Sequence, residues 1–145
     1  QLSAGVVLPK AGTVFVTVNK RDHQAVVPTA QRLVELGFDL IATRGTAQAL
    51  REKGVEVQEV LKRSEGHPNC VDAIVGGEVA LVINTPLGAA AQRDGFAIRT
   101  ASIEHGVPCI TTLTGASAAV EAIGARAQEK EASVISLQEI HSLEG

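Results

Sequence analysis

Residues 37–50, with the sequence GFDLIATRGTAQAL, contain the pattern that decides the fold class. Phe38–Ala42 is short and mostly apolar and follows Gly37, which is typical of a buried strand. The polar turn Thr43–Thr46 comes next, and a helix is predicted to run from there through Lys53. A strand that leads through a short turn into a helix is the first part of a parallel β-α-β unit.

The same alternation continues on both sides of this stretch. The other predicted strands are Thr13–Val18, Val55–Val60, Val79–Ile83 and Val107–Thr111. Two further helices are predicted before the fourth strand: one is capped by Asp22 and runs to about Leu36, and a short one covers Val71–Val75. After that strand, a helix is predicted in the second half of Ala89–His105, and another is capped by Thr114 and runs to about Gln128. The chain then ends in a tail with a capped turn at 136–139. This order predicts a three-layer α/β/α fold with a five-stranded parallel sheet, doubly wound in the flavodoxin-like manner.

Composition agrees with one domain of this kind. The chain has 145 residues, of which 45% are hydrophobic, with three Phe, no Trp and no Tyr. Such a core is built from Val, Ile, Leu and Ala, which suits a parallel sheet covered by helices on both faces. The net charge of −3, with both signs interspersed, argues against a nucleic-acid surface. We expect a cytoplasmic protein without membrane partners, whose Cys70 and Cys109 are reduced thiols.

Polar residues follow the predicted strands, and ligands of open parallel sheets bind outside these carboxyl ends. The turn Thr43–Thr46 would offer free amide hydrogens, the positive end of a helix dipole and two hydroxyl groups, which together form an anion cradle. Lys62, and Lys20 or Arg21, could supply the opposite charge. In the alternative interpretation, Thr46 only caps the helix and Gly45 only makes the turn.

A second polar pair, Asn84–Thr85, ends the most apolar predicted strand. These side chains suit hydrogen bonding to a sugar or a carbonyl group, or they only terminate the strand before Pro86. The four His residues lack the spacing of metal ligands, and neither a Ser-His-Asp arrangement nor a GxGxxG fingerprint is present. We therefore expect no metal and no cofactor.

Four motifs in one order resemble a known family. They are GFDLIATRGT (Gly37–Thr46), KRSEGHP (Lys62–Pro68), INT (Ile83–Thr85) and VISLQEIH (Val134–His141). Together they resemble the methylglyoxal-synthase-like domain and, more closely, the C-terminal allosteric domain of the large subunit of bacterial carbamoyl-phosphate synthetase. The resemblance extends from about Gly12 to His141. It implies that residues 1–12 are a linker from an upstream synthetase core and that residues 13–145 are the allosteric domain.

The resemblance implies a regulatory domain that binds nucleoside monophosphates, typically UMP as inhibitor and IMP as activator, and in some members ornithine. It also implies the synthetase core and a glutaminase small subunit as partners, with oligomerisation through this domain. The implied phosphate-binding residues are Lys20, Thr43, Arg44, Gly45, Thr46 and Lys62. The implied ribose- and base-binding residues are Asn84, Thr85, Pro86, Asp94 and Ile98.

Two positions depart from the family pattern. The basic residue after the first strand can fall at His23 instead of Lys20, and we favour Lys20. Pro86 replaces a hydroxyl-bearing residue that would contact ribose, so ribose binding would depend on Asn84 and Thr85. We also expect the helix after Thr114 and the tail 134–143 to dock on the synthetase core or on another subunit.

Two alternatives remain open at this point. Methylglyoxal synthase shares the fold and the phosphate site, but its phosphate elimination needs a carboxylate base in the pocket. The corresponding positions here are His67–Asn69 and Asn84–Thr85, while Asp72 lies on a helix and Asp94 lies farther along the chain. A flavodoxin-type module is the other alternative, although the chain offers few aromatic residues to a flavin.

Overall fold

A computed structural model describes residues 8–86 and 89–144 of the chain, with side chains at 8–86 and 92–129. Within these residues the strands form one sheet in the order β3-β2-β1-β4-β5, and every neighbouring pair is parallel. The strands are β1 (Thr13–Val18), β2 (Asp39–Ala42), β3 (Gln58–Glu59), β4 (Leu81–Thr85) and β5 (Cys109–Ile110). The predicted α/β class and its five-stranded parallel sheet are confirmed.

The strand order explains how the helices divide into two layers. The helices are α1 (Val27–Glu35), α2 (Arg44–Glu52), α3 (Cys70–Val75), α4 (Ala89–Glu104) and α5 (Leu113–Glu144), with 3-10 turns at Lys20–Asp22 and Arg63–Glu65. The chain builds the sheet from β1 towards β3, then returns to the other side of β1 to add β4 and β5. Right-handed connections therefore place α1 and α2 on one face and α3 and α4 on the other.

The two hydrophobic clusters match these layers. Val14 and Val16 of β1 point into a cluster that also contains Leu33 of α1 and Leu50 of α2. Phe15, between them, points into the other cluster with residues of α3 and α4. All three β1 side chains are fully buried, because side chains alternate across a strand and helices cover both faces of this sheet.

The two edge strands are shorter than predicted. Only Gln58 and Glu59 of the predicted strand Val55–Val60 pair with β2, although Val55 and Val57 are buried in the core. Only Cys109 and Ile110 pair with β4. An edge strand has one neighbour, so apolar residues beyond the ladder can pack into the core without joining the sheet. The hydrophobic pattern therefore overestimated their length.

Several predicted helix boundaries are also wrong. Helix α1 begins at Val27 and Asp22 does not cap it: the carboxylate of Asp22 accepts a hydrogen bond from Nδ2 of Asn19 at 2.7 Å. Helix α4 fills Ala89–Glu104 and not only its second half. Thr112, and not Thr114, caps α5: its hydroxyl accepts the Gly115 N–H at 3.0 Å.

Two further elements end later in the chain than predicted. Helix α5 continues through the predicted tail and turn to Glu144. Strand β4 includes Asn84 and Thr85, which pair with Thr17 and Val18 of β1 and do not terminate the strand. For the predicted linker 1–12, residues 1–7 lie outside the described part, while Leu8 already packs in the core. The domain boundary at residue 13 stays a prediction.

Candidate functional site

A cavity of about 630 Å³ lies at the carboxyl edge of the sheet, where β1 and β4 end side by side. The chain reverses its direction of winding between these two strands, and this is where doubly wound sheets bind ligands. The residues that line the cavity are Thr17, Val18, Asn19, Lys20, His23, Thr43, Gly45, Thr46, Lys62, Arg63, Cys70, Asn84, Thr85, Pro86, Asp94, Gly95 and Ile98.

The N-terminus of α2 opens into this cavity. Thr43 is the N-cap residue, and its side chain makes no capping hydrogen bond. The first-turn amides of a helix have no partner within the helix, so those at Gly45 and Thr46 are donors for a ligand. They carry the positive end of the helix dipole, which favours an anion at this position.

Gly45 and Thr46 do not have the structural roles considered from sequence. Gly45 lies inside α2, and a Cβ built there would be 3.4 Å from Cε1 of His23, so glycine allows this ring to approach the helix. Thr46 does not cap the helix. Its hydroxyl accepts the Val18 N–H at 3.2 Å and lies 3.4 Å from the Val18 carbonyl, which joins α2 to the end of β1.

Hydroxyl and amide groups hold the strand ends in position. The hydroxyls of Thr17 and Thr43 are 3.0 Å apart. The side chain of Asn19 donates to the carbonyl of Thr85 at 3.0 Å and to its hydroxyl at 3.2 Å. These contacts join β1, β2 and β4 at the floor of the cavity, so a ligand would meet a floor that is already arranged.

Two buried polar atoms beside this floor have no partner among the described residues. They are Nδ2 of Asn84 and Oδ1 of Asn19. Asn84 is only 4% exposed. An unpaired buried donor or acceptor is rare and costs about 1–3 kcal/mol. Both residues line the same cavity, so the unpaired atoms indicate a place for a hydrogen-bonding ligand.

The charges around the cavity are mostly positive. Lys20, Lys62 and Arg63 carry these charges, and the half-buried imidazole of His23 also lines the cavity. Of the described residues that line it, Asp94 has the only carboxylate, and Oδ1 of Asp94 lies 3.5 Å from Arg63. The positive excess favours an anionic ligand.

Ten of the eleven predicted site residues line this one cavity. Arg44 does not: its side chain is 74% exposed and its Nε lies 3.5 Å from Glu59. Lys20 and His23 both line the cavity, so the choice between them stays open. Whether any of these residues contacts an effector stays a prediction.

Sequence reasoning missed several lining residues, including Thr17, Asn19 and Arg63. Asn19 and Arg63 gave a usable signal, since each is polar and adjoins a predicted cation. Thr17 gave none, because its position depends on strand register.

The loop that carries Lys62 is held by a compact set of hydrogen bonds. The Lys62 N–H donates to Oε1 of Glu65 at 2.8 Å. The carboxylate of Asp72 accepts the Asn69 N–H at 2.8 Å and lies 2.7 Å from Nδ1 of His67. The hydrogen bond with His67, followed by the one from the Asn69 backbone, lowers the pKa of Asp72 below its ordinary value of 3.8.

This pKa predicts a pH dependence. A lowered pKa in the folded state contributes stability that is present above the ordinary value and lost as pH falls through the folded value. We expect the melting temperature to fall as pH drops from about 5 to about 2, and Asp72→Asn to reduce this fall. Asp39→Asn, at the exposed start of β2, is the control. Equal acid sensitivity of Asp72→Asn and the unsubstituted chain would contradict the assignment.

The two cysteines lie in environments that disfavour the thiolate form. Both Cys70 and Cys109 are free, and Cys70 is 2% exposed although it borders the cavity. Burial raises the pKa of both thiols. A thiol with a raised pKa is protonated at neutral pH and is a poor nucleophile.

Among the described residues, no three or more His, Cys, Asp or Glu side chains are placed to hold a metal ion. No helix in the described part is both long and apolar enough to cross a membrane.

Comparison with known proteins shows the family to which the chain belongs. The family model described as "MGS-like domain" matches residues 25–111, more than half of the chain. The chain therefore belongs to the MGS-like domain family, and the resemblance seen in its motifs is confirmed. The crystal structure of methylglyoxal synthase from Elizabethkingia anophelis NUHP1 superposes with a TM-score of 0.63 at 21% identity, covering 78% of this chain and 79% of that one. At this identity the likeness supports the fold alone.

Within that family, the chain is similar to one particular group. It is 53% identical to the carbamoyl phosphate synthase large chain, C-terminal section, of Methanopyrus kandleri, over 97% of this chain and 26% of the relative. It is 46% identical to the carbamoyl phosphate synthase large chain of Acidobacterium capsulatum, over 98% of this chain and 13% of the relative. The chain thus spans 26% and 13% of the length of these two relatives.

Proposed function

We propose that this chain is the regulatory domain of a carbamoyl-phosphate synthetase large chain and that its cavity binds a nucleoside monophosphate, UMP or IMP. Binding would control the synthesis of carbamoyl phosphate for pyrimidine and arginine biosynthesis in the cytoplasm. The observation that carries the proposal is the uncapped N-terminus of α2, which opens into a cavity bordered by four basic side chains.

The phosphate would bind at this helix N-terminus. Free amides at Gly45 and Thr46 can donate to its oxygens, and Lys62 and Lys20 can neutralise its charge. Arg44 has no part in this arrangement, because its guanidinium lies beside Glu59 on the exposed side of α2.

The nucleoside would occupy the rest of the cavity. Its volume of about 630 Å³ exceeds what a phosphate needs and is typical of small-molecule sites. Nδ2 of Asn84 and Oδ1 of Asn19 have no hydrogen-bond partner among the residues that the structure describes. A ribose hydroxyl can both accept and donate, so it suits this pair. Pro86 and Ile98 offer apolar surface to a base.

The parent protein is part of the same proposal. The relatives are named carbamoyl phosphate synthase large chains, and this chain corresponds to a fraction of their length. The proposed partners are a synthetase core in the same polypeptide and a glutaminase small subunit. In this parent protein, the ATP-dependent ligase reaction would take place outside the present chain. Ornithine binding and oligomerisation through this domain stay predictions.

Phosphate elimination by a methylglyoxal synthase is the second candidate, because Asp94 does place a carboxylate at the cavity. A general base must be free to take a proton from the substrate. Asp94 is within 3.5 Å of Arg63, and Asp72 is not among the residues that line the cavity. We therefore favour binding without reaction.

Calorimetry on the 145-residue chain tests the proposal. We expect UMP or IMP to bind and uridine to bind at least about tenfold more weakly, since it lacks the phosphate. Dihydroxyacetone phosphate should not be converted to methylglyoxal. Clear turnover would favour the lyase, and equal binding of UMP and uridine would contradict the phosphate site.

A substitution at Asn84 separates binding from stability. Asn84→Leu keeps the number and branching of the side-chain heavy atoms and removes the buried donor that has no partner among the described residues. We expect the melting temperature to stay the same or rise, because burying an unpaired amide is unfavourable. Nucleoside monophosphate affinity should fall about tenfold, the usual effect of one lost hydrogen bond in a buried site.

Asn69→Leu is the contrasting variant: it should lower the melting temperature, because Asn69 caps α3 with its side chain. A fall in melting temperature for Asn84→Leu would contradict the assignment.

A further inference from the structure

Large apolar side chains are exposed on one helical layer of the described structure. Phe96 is 65% exposed and Ile103 is 78% exposed, both on α4, and Val75 at the end of α3 is 51% exposed. The described side chains of α1, α2 and α5 include no exposed large hydrophobic residue. Single exposed apolar residues are ordinary on protein surfaces, but a group on one layer indicates an interaction surface.

The α4 residues form one stripe along the helix. Phe96, Arg99 and Ile103 are spaced by three and four residues, so they lie on the same face. A shallow groove beside this stripe is lined by Arg63, Gln92, Arg93, Phe96, Ala97 and Arg99. No carboxylate is among these described lining residues, although the whole chain has a net charge of −3. The surface is complementary to an apolar side chain flanked by carboxylates.

The same helix also borders the cavity with its other side. A Cβ built on Gly95 would lie 3.1 Å from Nδ2 of Asn84, so the α4 backbone packs directly on that amide. Arg63 lines both the cavity and the groove, and it pairs with Asp94 of α4. A ligand that engages Asn84 or competes for Arg63 would therefore change the groove as well.

We propose that the outer face of α4, formed by Phe96, Arg99 and Ile103, is a surface on which the synthetase portion of the same polypeptide docks, through an apolar segment that carries carboxylates. The identity of this occupant rests on the proposed function. This chain covers 13% of its relative from Acidobacterium capsulatum, so most of that relative lies outside this domain. A second copy fits less well, because a symmetric dimer through this face and its groove would bring Arg63, Arg93 and Arg99 close to their counterparts.

Photo-crosslinking tests this surface in the full polypeptide that contains the chain. A benzoylphenylalanine placed at position 96 should crosslink to a carboxylate-rich segment of the synthetase portion, identified by mass spectrometry. The control is the same group at the exposed position 53, at the end of α2 on the opposite layer. Adding Arg99→Glu should lower crosslinking from position 96 about tenfold, and Lys53→Glu should not change it. Crosslinking to a second copy of this domain, or no more from position 96 than from position 53, would overturn the proposal.

Nucleotide binding distinguishes failure of this inference from failure of the proposed function. The double substitution Phe96→Ser with Ile103→Ser should leave UMP or IMP affinity of the 145-residue chain within about twofold, while it abolishes the nucleotide response of the full polypeptide. If the unsubstituted chain binds no nucleotide but crosslinks as expected, the proposed function fails and the docking surface stands. An unchanged nucleotide response in the substituted polypeptide would exclude α4 as the docking surface.

Discussion

Replacing Lys62 with alanine is expected to weaken UMP or IMP binding by about tenfold to a hundredfold. Lys62 borders the cavity from an exposed loop that Glu65, Asn69 and Asp72 hold in place. Hydrogen bonds to charged groups contribute about 1.5–3 kcal/mol, and about 1.4 kcal/mol corresponds to tenfold in affinity. Because Lys62 is exposed, salt screens its charge, and we expect the smaller effect at high ionic strength.

Lys53→Ala is the matched control, since this lysine lies just after α2 and does not line the cavity. It should leave affinity within about twofold. Calorimetry at two salt concentrations measures both variants. If Lys62→Ala binds as tightly as the control at low salt, the phosphate does not lie where we place it.

Thr46→Val should weaken binding less than Lys62→Ala, and it should also destabilise the chain. The hydroxyl of Thr46 already accepts a hydrogen bond from the Val18 N–H. Removing it leaves a buried amide unpaired, at a cost of about 1–3 kcal/mol in the free energy of unfolding. Chemical denaturation of this variant measures the loss in the free energy of unfolding, and calorimetry measures the loss of nucleotide affinity.

Replacing Ile83 with alanine is expected to have the largest effect on stability. Ile83 is fully buried in β4, between β1 and β5, and packs in the larger hydrophobic cluster. Removing a buried isoleucine side chain to its Cβ costs about 2–5 kcal/mol, because transfer energy is lost and a cavity remains. This is a large part of the 5–15 kcal/mol that is typical of a whole domain.

Two control variants separate burial from residue type. Ile83→Val should cost about 0.5–1.5 kcal/mol. Ile103→Ala removes the same side chain at an exposed position of α4 and should change the free energy of unfolding by less than about 0.5 kcal/mol. Urea denaturation followed by circular dichroism measures all three. Equal costs for Ile83→Ala and Ile103→Ala would mean that Ile83 is not buried in the core of the sheet.

Local patterns predicted the fold because each element carries its own signal. The run Thr13–Val18 is short and β-branched, and its strand bounds agree with the structure residue by residue. The edge strands and helix ends were predicted less well. Val55 and Val57 look like strand residues, yet they only pack in the core. Hydrophobicity reports burial, whereas strand pairing also requires a neighbouring backbone within hydrogen-bonding distance.

The candidate site was partly predictable for a related reason. The carboxyl ends of parallel strands meet at one edge, so Thr43, Thr46 and Asn84 could be assigned to a common site from the predicted parallel sheet alone. Arg44 was assigned there too, because it belongs to the turn Thr43–Thr46. Its helical position instead turns the guanidinium towards Glu59, and sequence proximity does not show the direction in which a side chain points.

The turn Thr43–Thr46 at the end of β2 is the feature on which sequence and structure agree, because Thr43, Gly45 and Thr46 line the cavity. The amino-acid sequence alone determined the α/β class, the edge of the sheet at which the cavity lies and the family, since these depend on local periodicity and motif order. Tertiary structure alone decided which cations border the cavity, that Asn84 and Asn19 each keep a buried atom without a partner among the described residues, and that α4 adjoins the cavity on one side and exposes Phe96 on the other. These features depend on distances between residues far apart in the chain, which no local pattern encodes.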